Sequence, residues 1–191
     1  MKTPISQLLS LLLLLLAATF FLIPPTLAAA TDFIRSACNT TDNPDLCYSS
    51  ISPYAKVIKQ SPAVLARIGI TVAQPVIRRV ASDVSALSGK ANSSYAGAFS
   101  VCEETLGTAV DNVGDALSWM RQLEEGKGGS FEYVIKAVNT QLSGAMTNEM
   151  TCTDEFEPDG PVKKEVVDRV TYAFEFTGIA LSLVTYYANH H

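Results

Sequence analysis

From Ser61 to the C-terminus, apolar residues recur at steps of three and four, the repeat of helices that bury one face. Four long segments carry it. The first runs from Ser61, a capping residue followed by Pro62, to about Ser88, with Leu65, Ile68, Val72, Val76, Val80, Val84 and Leu87 on its stripe. Pro75 falls inside this segment and is expected to kink it, and Gly89 ends it. The second runs from about Ser93 to Glu125, with Tyr95, Phe99, Cys102, Leu106, Val110, Val113, Leu117 and Met120 in line, until "GKGG" (Gly126 to Gly129) breaks it. The third opens at a Ser130 cap and turns Val134, Val138, Leu142, Ala145 and Met146 inward. The fourth follows Pro158 and Pro161, and its Val167, Val170, Phe174, Thr177, Leu181, Val184 and Ala188 step 3-4-3-4-3-4 as a bundle seam requires. No strand-like alternation competes over a comparable length. The pattern predicts an all-α fold, an up-down four-helix bundle.

Two shorter regions precede the bundle. "TDFIRSACNTTDNPDLCYSSISPYA" places Cys38 and Cys47 around the turn-forming pair Asn43-Pro44 and reads as two short helical pieces, a hairpin extension stapled to the bundle. The first thirty residues have another character. Lys2 precedes the unbroken apolar run "LLSLLLLLLAATFFLI", and "PPTLAAA" then supplies small residues for cleavage after Ala28, Ala29 or Ala30. An apolar run of about 16 residues is short against the roughly 20 that span a bilayer. The expected organisation is therefore a signal peptide over 1–30 and one domain over 31–191, with no membrane span after cleavage. About 160 residues suffice to bury around 70% of the unfolded surface.

Export changes how the cysteines are read. Cys38, Cys47, Cys102 and Cys152 are the whole complement, and an even number in a secreted chain implies disulfides. Zinc is disfavoured, because there is no C-x-x-C pair and the only histidines are His190 and His191. Lys127 stands 25 residues after Cys102 and 25 before Cys152. With Lys127 at the tip of an antiparallel hairpin, both cysteines lie about 37 Å from the tip at 1.5 Å per residue, and at the same height. That spacing predicts Cys102–Cys152 and leaves Cys38–Cys47 as the second bond. Asn39-Thr40-Thr41 and Asn92-Ser93-Ser94 are glycosylation sequons of the same compartment. Without Lys2 the domain keeps 13 basic residues against 19 acidic ones, a net charge of −6 that argues against a nucleic-acid partner.

Catalytic equipment is scarce. There is no G-x-S-x-G, no phosphate-cradling glycine motif and no H-E-x-x-H, and both histidines sit in a tail expected to fray. Glu103, Glu104, Asp111, Asp115 and the run Asp154, Glu155, Glu157, Asp159 are candidate acid–base carboxylates, but on amphipathic helices such runs are usually a solvated face. The run lacks the alternating spacing of a calcium loop. A small-ligand carrier would need a cavity where these stripes carry ordinary core residues. No metal or cofactor is called for, and a binding module is the reading the residues favour over a hydrolase or a carrier.

Three motifs then carry a resemblance over essentially the whole mature chain: "FIRSACNTTDNPDLCYSSI", "VCEETLGTAVDNVGDAL" and "NTQLSGAMTNEMTCTDEF". They resemble, in order and with four matching cysteines, the plant inhibitors of pectin methylesterase and invertase. The resemblance implies a four-helix bundle with an N-terminal helical hairpin, and disulfides joining first to second and third to fourth cysteine. It implies a non-catalytic secreted protein of the plant apoplast that caps a carbohydrate-active enzyme. For esterase inhibitors it places the contact residues near the third and fourth cysteines, which here become Glu104, Thr108, Asp111 and Thr151, with Asp154 beside them. Thr108 departs from the acid that esterase inhibitors often carry. Invertase inhibitors resemble one another in a Pro-Lys-Phe type motif, where this chain reads "GKGGSFEY", with Lys127 and Phe131 but no proline. The implied target is pectin methylesterase, in a 1:1 complex over its pectin-binding cleft, with acid invertase as the alternative.

Overall fold

The computed structural model describes residues 27–156 and 160–191. Most of the leader, and Glu157, Pro158 and Asp159, lie outside the described residues. The chain forms α1 (Leu27–Cys38), α2 (Pro44–Ile51), a 3₁₀ turn (Ser52–Tyr54) and α3 (Ala55–Ile58). The long helices α4 (Pro62–Ser88), α5 (Ala96–Glu124), α6 (Phe131–Asp154) and α7 (Pro161–Asn189) follow. There is no strand among the described residues. Each long helix packs on its neighbours in sequence, and α7 returns against α4 to close the bundle.

Local chemistry sets the helix starts. Ser61 Oγ accepts from the Val64 N–H at 3.3 Å and Pro62 follows it, where a missing N–H costs nothing. Ser130 caps α6 in the same way through the Tyr133 N–H. Asn92 Oδ1 accepts from the Ser94 N–H, so the second segment begins as a 3₁₀ turn (Ser93–Tyr95) before α5 takes over. The α5–α6 turn needs backbone that only glycine adopts easily: Gly126, Gly128 and Gly129 have φ of 69°, 90° and 114°. α4 runs unbroken through Pro75, which is exposed, so the hydrogen bond that proline removes is lost on the solvent side.

The inward stripes differ from the sequence reading by about one position in two helices. α7 buries Val166, Val170, Ala173, Thr177, Ala180 and Val184, together with Phe176, Ile179 and Leu183. Val167, Phe174, Leu181 and Ala188, expected on the seam, are only half-buried. In α4 the same happens to Val72, Val76 and Leu87, while Ala66, Ile70, Ala73 and Ile77 are enclosed. The reason is close approach through small residues. A Cβ placed on Gly69 would sit 3.0 Å from Leu183 Cδ1 and 3.5 Å from the Ala180 backbone. Helices that meet across glycine and alanine rotate their bulkier residues to the flanks, where they cover the core's edge. Tyr95, Val110 and Met146 are likewise half-buried.

A second apolar cluster joins the extension to the bundle. Ile34, Ala37, Cys38, Cys47, Ile51 and Ile58 pack on Leu65 and Ile68 of α4 and on Ile179 and Leu183 of α7. Cys38–Cys47 closes the α1–α2 hairpin, the Arg35 guanidinium lies 3.8 Å over the Tyr48 ring, and Asn43 Nδ2 donates to Glu175 of α7 at 3.3 Å. Ala30 is buried at the start of this cluster, at the edge of the expected leader.

Candidate functional site

The surface singled out by the sequence lies on the α5–α6 hairpin. Cys102 of α5 bonds Cys152 of α6, their Cα atoms 4.1 Å apart and both side chains fully buried. That bond sets the register: Glu104 is level with Met150, and Thr108 with Met146. The end of α6 is fastened a second time just beyond the helix. Phe156 is fully buried, edge-on to Phe99 at 5.0 Å and stacked on Tyr95 at 6.4 Å. Thr151 and Asp154 therefore sit on a short segment pinned at Cys152 and Phe156.

Glu104, Thr108 and Asp111 are exposed, as is Asp154, and Thr151 is half-exposed. On α5 the three occupy positions i, i+4 and i+7, one face of the helix, away from buried Cys102, Leu106 and Val113. The hydroxyls are engaged locally. Thr108 Oγ1 donates to the Glu104 carbonyl at 3.1 Å and Thr151 Oγ1 to the Thr147 carbonyl at 2.9 Å. Each hydroxyl spends its proton on its own helix and offers a partner only acceptor lone pairs, so with the carboxylates this face is rich in acceptors and poor in donors. Met150, 54% exposed, borders a groove with Val170, Thr171 and Phe174 of α7 and was not among the residues singled out from the sequence. The signal for it was present: a methionine two residues before Cys152 stands off the buried stripe.

The sequence reading also passed over Glu149. It is fully buried and continues the stripe of Val138, Leu142 and Ala145 toward Cys152. Its Oε1 lies 2.9 Å from Thr177 Oγ1 of α7, and its Oε2 has no hydrogen-bond partner. Burial, offset in part by the Thr177 hydrogen bond, pushes this carboxyl up to about 8. Thr177 stands on the predicted seam of α7, but only the packing of α6 on α7 brings it to face Glu149.

The other candidates for chemistry are accounted for structurally. Glu103 and Asp115 on α5, and Glu155 in the turn after α6, are exposed, without the enclosure that would separate an acid from a base. The histidine tail is packed rather than frayed. His191 stacks on Phe131 at 3.6 Å, and His190 stacks on Tyr186 at 4.0 Å while its Nδ1–H donates to the Tyr186 carbonyl. Aromatic stacking against the hairpin supplies the contacts that a free tail lacks. Phe131 is thereby held between His191 and Tyr187, and Lys127 is paired with Glu125 at 2.8 Å. Among the described residues no group of His, Cys, Asp or Glu is arranged to hold a metal ion, and no helix is long and apolar enough to cross a membrane. Both sequon asparagines, Asn39 and Asn92, are exposed, though Thr41 of the first is buried with its hydroxyl on the Cys38 carbonyl.

Comparison with known proteins places this hairpin in context. Residues 32–183 match the family model of plant invertase/pectin methylesterase inhibitors. The chain belongs to this family. A "21 kDa protein" of Daucus carota is 32% identical, over 86% of this chain and 88% of that protein. Pectinesterase inhibitor 4 of Arabidopsis thaliana is 30% identical, over 84% of this chain and 83% of its own length. Pectinesterase inhibitor 10 of the same plant is also 30% identical, and the match spans 52% of its length. The fold is similar to a crystal structure of a mutant pectin methylesterase inhibitor from Arabidopsis, with a TM-score of 0.60 at 20% identity over 80% of this chain and 95% of that one. The family is one of enzyme inhibitors and not of enzymes.

Proposed function

We propose that this protein inhibits pectin methylesterase in the plant cell wall, by a non-covalent 1:1 contact over the enzyme's pectin-binding cleft. The observation that carries the reading is the α5–α6 face. Glu104, Thr108, Asp111, Thr151 and Asp154 are displayed on two helices that a buried disulfide and Phe156 hold rigid, so little ordering entropy is lost on binding. The names of the relatives support an esterase as target. So does the hairpin tip, where Lys127 and Phe131 are engaged by Glu125, His191 and Tyr187 and no proline is present. The leader and the two disulfides support secretion to the apoplast. The test is parallel inhibition of a plant pectin methylesterase and an acid invertase by the purified protein. Saturable inhibition of the esterase alone is expected; inhibition of the invertase alone would overturn the choice of target.

A further inference from the structure

Glu149 presents a hydrogen-bond count that an ionised carboxylate cannot satisfy. Thr177 Oγ1 lies 2.9 Å from Glu149 Oε1 and 3.2 Å from the Ala173 carbonyl, and it owns a single proton. A carboxylate and a carbonyl would compete for that proton, and Glu149 Oε2 would still have no donor. A neutral carboxyl removes that competition: Glu149 donates its Oε1–H to Thr177 Oγ1, Thr177 donates to the Ala173 carbonyl, and the Oε2 left without a donor is an uncharged carbonyl oxygen, cheaper to bury than a carboxylate. Among the described residues, burial and the Thr177 hydrogen bond are what act on this carboxyl, with no cation paired to it. On α5 the nearest charged groups in sequence to the disulfide are Glu103 and Glu104, both acidic and exposed. On α7, Arg169 is committed to Asp83 and Glu165, and Glu175 accepts from Asn43. At the end of α6, Asp154 and the following Glu155 face solvent.

The position of this group matters. Glu149 is two residues before Thr151 and three before Cys152, and it borders a groove of about 280 Å³ lined also by Met150, Thr153, Val170, Thr171 and Phe174. Water entering that groove is the available source of donors for an ionised Glu149.

We infer that Glu149 is a positioning residue for the contact face, operated by its own proton. As the neutral acid it latches α6 onto α7 and holds Met150 and Thr151 in place; ionised, it draws water into the groove and loosens the α6 end. The effect on inhibition rests on the reading of the α5–α6 face given above, whereas the latch itself belongs to the free protein. By linkage, a carboxyl protonated in the folded state and ionised in the unfolded chain weakens the folding equilibrium about tenfold per pH unit over the interval between the two pKa values.

The experiment compares the wild-type protein with Glu149→Gln, whose amide stays neutral, from pH 5.5 to pH 9. The melting temperature of the wild type should fall as pH rises and level off above about 8, beyond any common trend, while the variant lacks that fall. Esterase inhibition by the wild type should weaken about fivefold or more relative to the variant over the same range. Infrared spectra of the wild type, which need no variant, should show a protonated-carboxyl band at pH 7 that is gone at pH 9. Parallel melting curves, or no such band at pH 7, would overturn the latch. Diverging melts with parallel inhibition curves would overturn the positioning role. Absence of inhibition by either protein would overturn the proposed function instead, and the melts and the infrared band would still decide the latch.

Discussion

The two disulfides close loops of very different length, and this sets their expected contributions apart. Cys102 and Cys152 are 50 residues apart, Cys38 and Cys47 only 9. Cross-linking restricts the unfolded chain by an entropy that grows with the logarithm of the loop, which gives about 4 kcal/mol for the longer loop and about 2.5 kcal/mol for the shorter. All four sulfurs are fully buried, so replacing either pair by alanine leaves comparable small voids, and the difference reports mainly on the unfolded state. For a domain of about 160 residues, 4 kcal/mol corresponds to a fall of roughly 8–16 °C in melting temperature. The assay is guanidinium unfolding of the two double variants, Cys102→Ala with Cys152→Ala and Cys38→Ala with Cys47→Ala, against the wild type. The 102/152 variant should show the larger loss. It should also show the greater rise in denaturant slope, because its unfolded chain is released from the longer tether. If the 38/47 variant lost more stability, the loop argument would be refuted, and packing between the extension and the bundle would have to be the dominant role of these bonds. Disulfide mapping by mass spectrometry checks the pairing itself, and a Cys38–Cys102 link would reject the topology.

Asp111→Ala and Thr151→Ala should each weaken esterase inhibition while changing stability by no more than about 0.5 kcal/mol, since both lie on the surface; intact inhibition would show that the contact face is misassigned. Leu106→Ala should do the converse, removing a fully buried side chain at a cost of roughly 2–5 kcal/mol while the folded fraction still inhibits, as a thermal melt and an activity titration would show. Wild-type stability should fall by something over 1 kcal/mol per pH unit on going from about pH 4.5 toward 8. In that window the unfolded Glu149 is ionised and the folded one keeps its proton, so the unfolded state binds fewer protons; denaturant titrations at fixed pH values, repeated on Glu149→Gln, measure the slope.

The helices and their order are legible in the chain alone. Helix period, the capping serines Ser61 and Ser130, the glycine turn at 126–129 and the spacing of Cys102 and Cys152 about Lys127 are all local or additive along the chain. They are read without knowing what each helix touches. Which residues face inward was decided by tertiary structure, because the rotation of a helix about its axis is set by how closely its partner approaches. Gly69, Ala73, Ala173 and Ala180 let α4 and α7 meet, so the bulkier Val72, Val76, Phe174 and Leu181 turn to the flanks instead of forming the seam. The tail was decided in the same way, since only the fold brings Phe131 under His191. The exposed face of Glu104, Thr108 and Asp111 was legible because its residues share one helix. The pairing of Glu149 with Thr177 was not, because two polar residues 28 positions apart acquire their meaning only when packing removes water from both.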